Sequence, residues 1–246
     1  MKSPPTLRWA VASRPKPGNS PAENEDATAA AGTRFAVCDG ATEGWQSGEW
    51  AAHLAAAFVR TPPNPADFPD WLTTTRRAWT PPAPKADIPW YEEAKRAEGS
   101  FATLLGVEFR ASQKTPGEWA WKAVAVGDSC LVRVRGGKVI ESFPLSSPSA
   151  FTNHPHLVPS SAERTCPDPE WLAGRAEPGD VFVLATDAVA ASLLAGTDPA
   201  WKAWRADPGV PERERLLDLL DSFSPAPNDD ATLVVIALPE RAESLR

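Results

Sequence analysis

Three stretches of this chain run apolar and stop at an aspartate: Phe35-Ala36-Val37-Cys38-Asp39, Ala123-Val124-Ala125-Val126-Gly127-Asp128 and Val181-Phe182-Val183-Leu184-Ala185-Thr186-Asp187. Such a run reads as a buried strand whose last residue emerges at the sheet edge. Two further stretches begin where those end, with acids ahead of an apolar run. They are Asn24-Glu25-Asp26-Ala27-Thr28 and Asn228-Asp229-Asp230-Ala231-Thr232, the second continuing to Leu238. A strand paired antiparallel starts at the edge where its neighbour finishes. The pattern therefore predicts five acidic sites on one rim of one sheet system, and that rim is the expected functional site.

The strand-like segments run from near residue 6 to near residue 238, so cutting the 246-residue chain in two would separate the pieces of the rim. One domain over 1–246 is expected, with a proline-rich helical insertion at about 61–98 and an irregular loop at about 144–170. The formal net charge of −7 argues against nucleic acid or an anionic membrane as the main partner, while leaving room for a local basic patch. No apolar stretch approaches the roughly 20 residues that span a bilayer, and the chain opens without an apolar leader, so a cytoplasmic location is expected. Cys38, Cys130 and Cys166 are odd in number and far apart, which reads as reduced thiols, with Cys38 and Cys130 as small buried strand residues.

In chain order, strands are expected over Thr6–Ser13, Ala27–Ala31, Arg34–Cys38, Phe101–Phe109, Trp119–Val126, Leu131–Val134, Lys138–Phe143, Val181–Ala185 and Asp229–Leu238. Gly32-Thr33 makes a hairpin of the second and third, bringing Asp26 and Asp39 to the same end. Apolar residues at helical spacing predict helices over Glu49–Arg60, Ala188–Leu194, stopped by Gly196, and Pro211–Phe223, with weaker ones over Pro65–Thr80 and Ile88–Glu98. His154 and His156 fall in the irregular loop and read as loop surface; His53 reads as structural.

Carboxylates gathered from far-apart segments without histidine or cysteine form an oxygen-rich environment, which favours Mg²⁺ or Mn²⁺ over Zn²⁺ or copper. Two such ions acidify a shared water and hold a phosphate against it, so metal-activated phosphoester hydrolysis follows. The set resembles the metal-dependent serine/threonine protein phosphatases, the protein phosphatase 2C family, in its compact bacterial form. The matching pieces are Asn24-Glu25-Asp26-Ala27, Phe35 to Ala41, Gly99-Ser100-Phe101-Ala102-Thr103, Val126-Gly127-Asp128-Ser129, Gly179 to Asp187 and Asp229-Asp230-Ala231-Thr232.

The resemblance implies an α+β fold, a four-layer α-β-β-α sandwich with two antiparallel sheets packed face to face and flanked by helices. It implies two Mn²⁺ or Mg²⁺ ions with a third possible site. Asp39 would bridge the two; Asp187 and Asp229 would complete one site, and Glu25 with the Gly40 carbonyl the other. Asp26 would act beside Asp39 in catalysis by holding metal-bound water, and Asp128 with Asp187 would take the third ion. The implied partner is a phosphorylated protein, in opposition to a serine/threonine kinase. This sequence departs from the family pattern at Pro21, where a phosphate-binding arginine is common, leaving Arg14 or Lys16 to supply that charge. It also departs at Ala41, where some members have a proton-donating histidine, at Ala188, where glycine is usual, and at Cys130, where arginine is usual. The alternative these departures raise is a pseudophosphatase that keeps the fold as a binding module.

Overall fold

The computed structural model describes residues 6–82, 90–112, 115, 117–206, 208, 210, 212–223 and 228–239. Outside these lie the opening residues 1–5, the first two of the helix expected over Ile88–Glu98, Pro211 at the start of a later one, and the tail from Glu240.

The hairpin forms as its turn residues dictate. Strands β2 (Asp26–Ala31) and β3 (Arg34–Asp39) pair antiparallel, with Ala31 opposite Arg34 and Asp26 opposite Asp39. Gly32 takes the turn at φ +62°, open to glycine at no steric cost. Beyond β3 lie β5 (Leu104–Ala111), β6 (Trp119–Val126) and β10 (Glu170–Ala176), giving the sheet order β10-β6-β5-β3-β2. A second sheet joins β1 (Arg8–Arg14), β7 (Cys130–Arg135), β8 (Lys138–Phe143), β11 (Val181–Ala185) and β12 (Ala231–Ala237) in the order β1-β12-β11-β7-β8. Every pairing in both is antiparallel.

The continuous apolar runs have a simple cause: the central strands are covered on both faces. Side chains alternate, so Phe35 and Val37 enter the core between the sheets beside Phe182, Leu184, Val234 and Ile236, while Ala36 and Cys38 face a helix. That helix is α1 (Ser47–Arg60), whose Trp50, Leu54 and Phe58 are buried on it with Phe68 and Leu72 of α2 (Phe68–Ala78). Across the molecule, Val183, Ala185, Leu233 and Val235 meet α4 (Asp187–Ala195), α5 (Pro199–Ala206) and α6 (Arg213–Ser222) through Val189, Leu193, Trp201, Leu216 and Leu220. The layers are α-β-β-α, as the resemblance implies. A further helix, α3 (Trp90–Glu98), lies in the insertion.

Three details differ from expectation. The strand expected over Phe101–Phe109 breaks at Thr103: β4 (Phe101–Ala102) leaves the main sheet to pair with β9 (Val158–Pro159), inside the irregular loop. β10 and α5 arise where the sequence gives no clear period. As expected, in contrast, the free Cys38 and Cys130 are buried strand residues, and burial pushes the Cys130 thiol up to about 12, consistent with an inert side chain.

Candidate metal centre

Strand ends and hydrogen-bonding neighbours place the acids of the rim. Asp39 closes β3, and Thr103 holds its peptide from both sides: the Asp39 N–H donates to Thr103 Oγ1 (2.9 Å), and the Thr103 N–H donates to the Asp39 carbonyl (2.8 Å). The break in the expected strand is therefore what fixes the bridging candidate. Gly40 follows because no side chain fits there: a Cβ would sit 2.6 Å from the Ser47 carbonyl carbon at the start of α1. Its N–H donates to the Glu25 carbonyl (3.2 Å), and Gly48, also without a side chain, admits the Glu25 Cα against the same helix start.

Asp230 holds the opposite bank. Its carboxylate accepts the backbone N–H of Lys16 (2.7 Å) and of Glu25 (2.6 Å), fastening the loop before β2 to the start of β12. Asp229, beside it, accepts the Asp230 N–H (2.9 Å) and lines the cleft. Asp187 opens α4, and Asp128 follows Gly127, whose φ of +109° turns the chain off β6.

Asp39, Gly40, Thr103, Asp128, Asp187 and Asp229 share a cleft of about 590 Å³, walled on its other side by residues 41–44, Glu98 and the Thr152–Pro155 and Leu157 stretch. Glu25 and Asp26 are not among the residues that line it. Asp26 is half-buried, with Oδ2 accepting the Thr186 hydroxyl (3.1 Å) and a buried Oδ1 left without a partner.

The electrostatics follow from burial without counter-charge. Burial and then the charges of Asp26, Asp187, Asp229 and Asp128 hold the Asp39 carboxyl well above the usual carboxylate range. Burial foremost, with neighbouring aspartates, pushes Asp26 and Asp128 each to about 7. Asp187 is raised as well, by burial and Asp229, against hydrogen bonds from the Ala188 N–H and from Asp39. The contact between Asp39 and Asp187 joins the end of β3 in one sheet to the start of α4, which follows β11 of the other. Burial also raises Glu25, opposed by a hydrogen bond from Thr42 and by the charge of Lys95.

Among the described residues, no three His, Cys, Asp or Glu side chains close around a point as an ion would require. The donor chemistry nevertheless fits a hard divalent cation: oxygen ligands only, mutual repulsion unrelieved by arginine, and a buried carboxylate oxygen with nothing to bond.

Some expectations for the site are not met. Arg14 does not reach the cleft; its guanidinium makes a two-pronged contact with Asp221 of α6 (3.0 and 2.8 Å), because β1 runs beside that helix. Lys16 sits on the loop that Asp230 ties down and is likewise absent from the cleft wall. Sequence reasoning missed Asp230 as a clamp, Thr103 as a support, His154 as a wall residue, and Lys95, whose ammonium donates to the Thr42 carbonyl (2.9 Å). A side chain that serves by accepting backbone N–H groups leaves no periodic signal.

Comparison with known proteins reaches the same architecture. No protein-family model and no curated protein sequence matches the chain. Solved structures match over nearly its whole length, at identities that establish the fold: it is the fold of the PPM serine/threonine phosphatases. The Mycobacterium tuberculosis serine/threonine phosphatase PstP/Ppp matches with a TM-score of 0.61 at 21% identity, covering 96% of this chain and 100% of that one. The catalytic domain of PstP in complex with two manganese ions gives a TM-score of 0.64, again at 21% identity over 96% of this chain and 99% of that one. RsbX in complex with magnesium gives 0.54 at 18% identity, over 95% and 96% of the two chains.

Proposed function

We propose that this protein is a metal-dependent phosphatase that hydrolyses phosphoserine or phosphothreonine in protein substrates, opposing a serine/threonine kinase in the cytoplasm. The observation that carries the reading is the convergence of Asp39, Asp128, Asp187 and Asp229 on one cleft, in a fold shared with a serine/threonine phosphatase solved with two manganese ions and with RsbX solved with magnesium. No helix among the described residues is long and apolar enough to cross a membrane.

Asp39, Asp187 and Asp229 would hold one ion, Asp39 with Glu25 and the Gly40 carbonyl a second, and Asp128 with Asp187 a third. Bound there, Mn²⁺ or Mg²⁺ supplies Lewis acidity, neutralising phosphoryl oxygens and acidifying water. The chain's own residues do the rest. Thr103 fixes the direction of Asp39, and Asp230 fixes the Glu25 backbone. Asp26, held by Thr186, orients water from behind the ligands through its second oxygen. The cleft walls would keep the phosphoester in place. Lys95, whose ammonium reaches the carbonyl of the wall residue Thr42, would supply positive charge for the phosphate, as a point charge and without the fork of the usual arginine.

The test is hydrolysis of p-nitrophenyl phosphate and of a phosphoseryl peptide with millimolar Mn²⁺. Wild type turns over both, and Asp39→Asn loses at least ~100-fold, the scale of removing a group that stabilises charge in the transition state. Activity equal in the two proteins contradicts the reading. The binding-module alternative is favoured by Pro21, Ala41 and the diversion of Arg14 to Asp221. Mn²⁺ binding in a calorimetric titration with no turnover of either substrate would establish it.

A further inference from the structure

The irregular loop between β8 and β10 is anchored at three points. Phe151 packs on the helix-side core of the β1 sheet. Val158 is fully buried in the other helix-side core, and its carbonyl accepts the Trp50 indole N–H (2.9 Å). Between them the His156 carbonyl lies over Gly127, where a Cβ would come within 2.8 Å of it, one residue from Asp128. The stretch between the anchors is therefore held against the acidic rim. Within it the His154 N–H donates to the Thr152 hydroxyl (3.4 Å), and His154 stands on the wall of the cleft that holds Asp39, Asp128, Asp187 and Asp229.

The other two histidines are elsewhere. His53 is stacked on Trp50 at 5.6 Å and hydrogen-bonded to the Thr75 carbonyl, and exposed His156 is not on the cleft wall.

We propose that His154 is the general acid of this cleft, protonating the oxygen of the departing serine or threonine. The inference rests on the phosphatase reading above. Ala41 cannot donate a proton, and aspartates that bound cations would ionise would serve as ligands and not as proton donors. Imidazole is the side chain that changes charge near neutral pH.

The step balances as follows. The bond from phosphorus to the seryl Oγ breaks as one to a water oxygen forms. The His154 imidazolium gives its proton to Oγ, one water proton stays on the phosphate and the other leaves to solvent, and solvent reprotonates the imidazole. The charged groups that share the cleft with His154 are the four aspartates, Glu43 and Glu98.

A general acid matters most for a poor leaving group, which separates it from a residue that merely shapes the wall. The experiment uses the full chain with Mn²⁺ and compares a phosphoseryl peptide, whose alkoxide must be protonated, with p-nitrophenyl phosphate, whose phenolate leaves unaided. His154→Ala and His154→Gln are expected to lose ~100-fold or more in kcat on the peptide and only a few-fold on the aryl ester. They also lose the fall in kcat that wild type shows on the peptide as pH rises. His156→Ala keeps both activities. A wild type active on both substrates, whose His154 variants lose neither or lose both in equal proportion, overturns the assignment of His154 alone. A wild type inert to both overturns the phosphatase reading and this inference with it.

Discussion

Asp229 and Asp230 are neighbours with opposite tasks. Asp229 faces the cleft, while Asp230, 7% exposed, spends both carboxylate oxygens on the backbone N–H groups of Lys16 and Glu25. Replacing it by alanine leaves two part-buried donors without partners and frees the segment that carries Glu25. Asp230→Ala is expected to lose ~1–3 kcal/mol in urea denaturation. Mn²⁺ affinity falls ~10–100-fold, as for partners that orient metal ligands from outside. Unchanged Mn²⁺ affinity by calorimetry would mean that the clamp does not position Glu25. The sequence pattern shows Asn228-Asp229-Asp230 as one acidic start to a strand; the resemblance singles out Asp229 as a ligand, and nothing in the pattern gives Asp230 its task as a clamp. Thr103 is hidden for the same reason: a hydroxyl bridging Asp39 and Ser129 (2.8 Å to the latter) is one more small residue in an apolar run.

At the level of elements, legibility tracked burial. β3, β6, β11, β12 and α1 were readable because both faces, or one helical face, are packed and the pattern records it, while β2, an edge strand with no buried residue, was readable only through the Gly32-Thr33 turn that pairs it with β3. β10 was not: it is the edge strand, mostly open to solvent, and carries Gly174 where a Cβ would press the Trp121 indole at 3.0 Å. α5 was not, because a single buried residue, Trp201, anchors its eight residues. One packing contact joins element to site. Phe58 of α1 lies across Gly106 of β5, where a Cβ would come within 2.4 Å of the ring. Gly106→Ala forces helix and sheet apart at a buried position and is expected to cost ~1–3 kcal/mol, read as a lower urea midpoint. The start of α1 packs on Gly40 and Glu25, so a stability unaffected by this change would contradict the tight docking on which the rim depends.

Over the whole molecule, the two ends of the sandwich treat charge in opposite ways. At one end of β11, Asp180 is fully buried yet bonded by Arg133 (3.0 and 2.7 Å), Arg135 (2.6 and 2.8 Å) and the Glu177 N–H (2.9 Å). Burial alone would raise its carboxyl, but hydrogen bonds from Arg135, Glu177 and Arg133 outweigh that and hold it below the usual range. At the other end, Asp26, Asp39, Asp128 and Asp187 are raised by burial and by one another, with no arginine among their causes. A chain that neutralises one buried carboxylate so thoroughly and leaves a group of them uncompensated has left room for cations from solution. The acids themselves were visible in the sequence; their convergence needed the antiparallel register that sets Asp26 opposite Asp39 and the two sheets that bring Asp187 to Asp39.

Anomalous scattering from a crystal grown with Mn²⁺ tests this most directly. The account predicts two peaks about 3.5–4 Å apart, the separation of paired catalytic ions, between Asp39, Asp187, Asp229 and Glu25. A manganese-grown crystal with no peak in the cleft, or with its peaks on other acids of the surface, would contradict it.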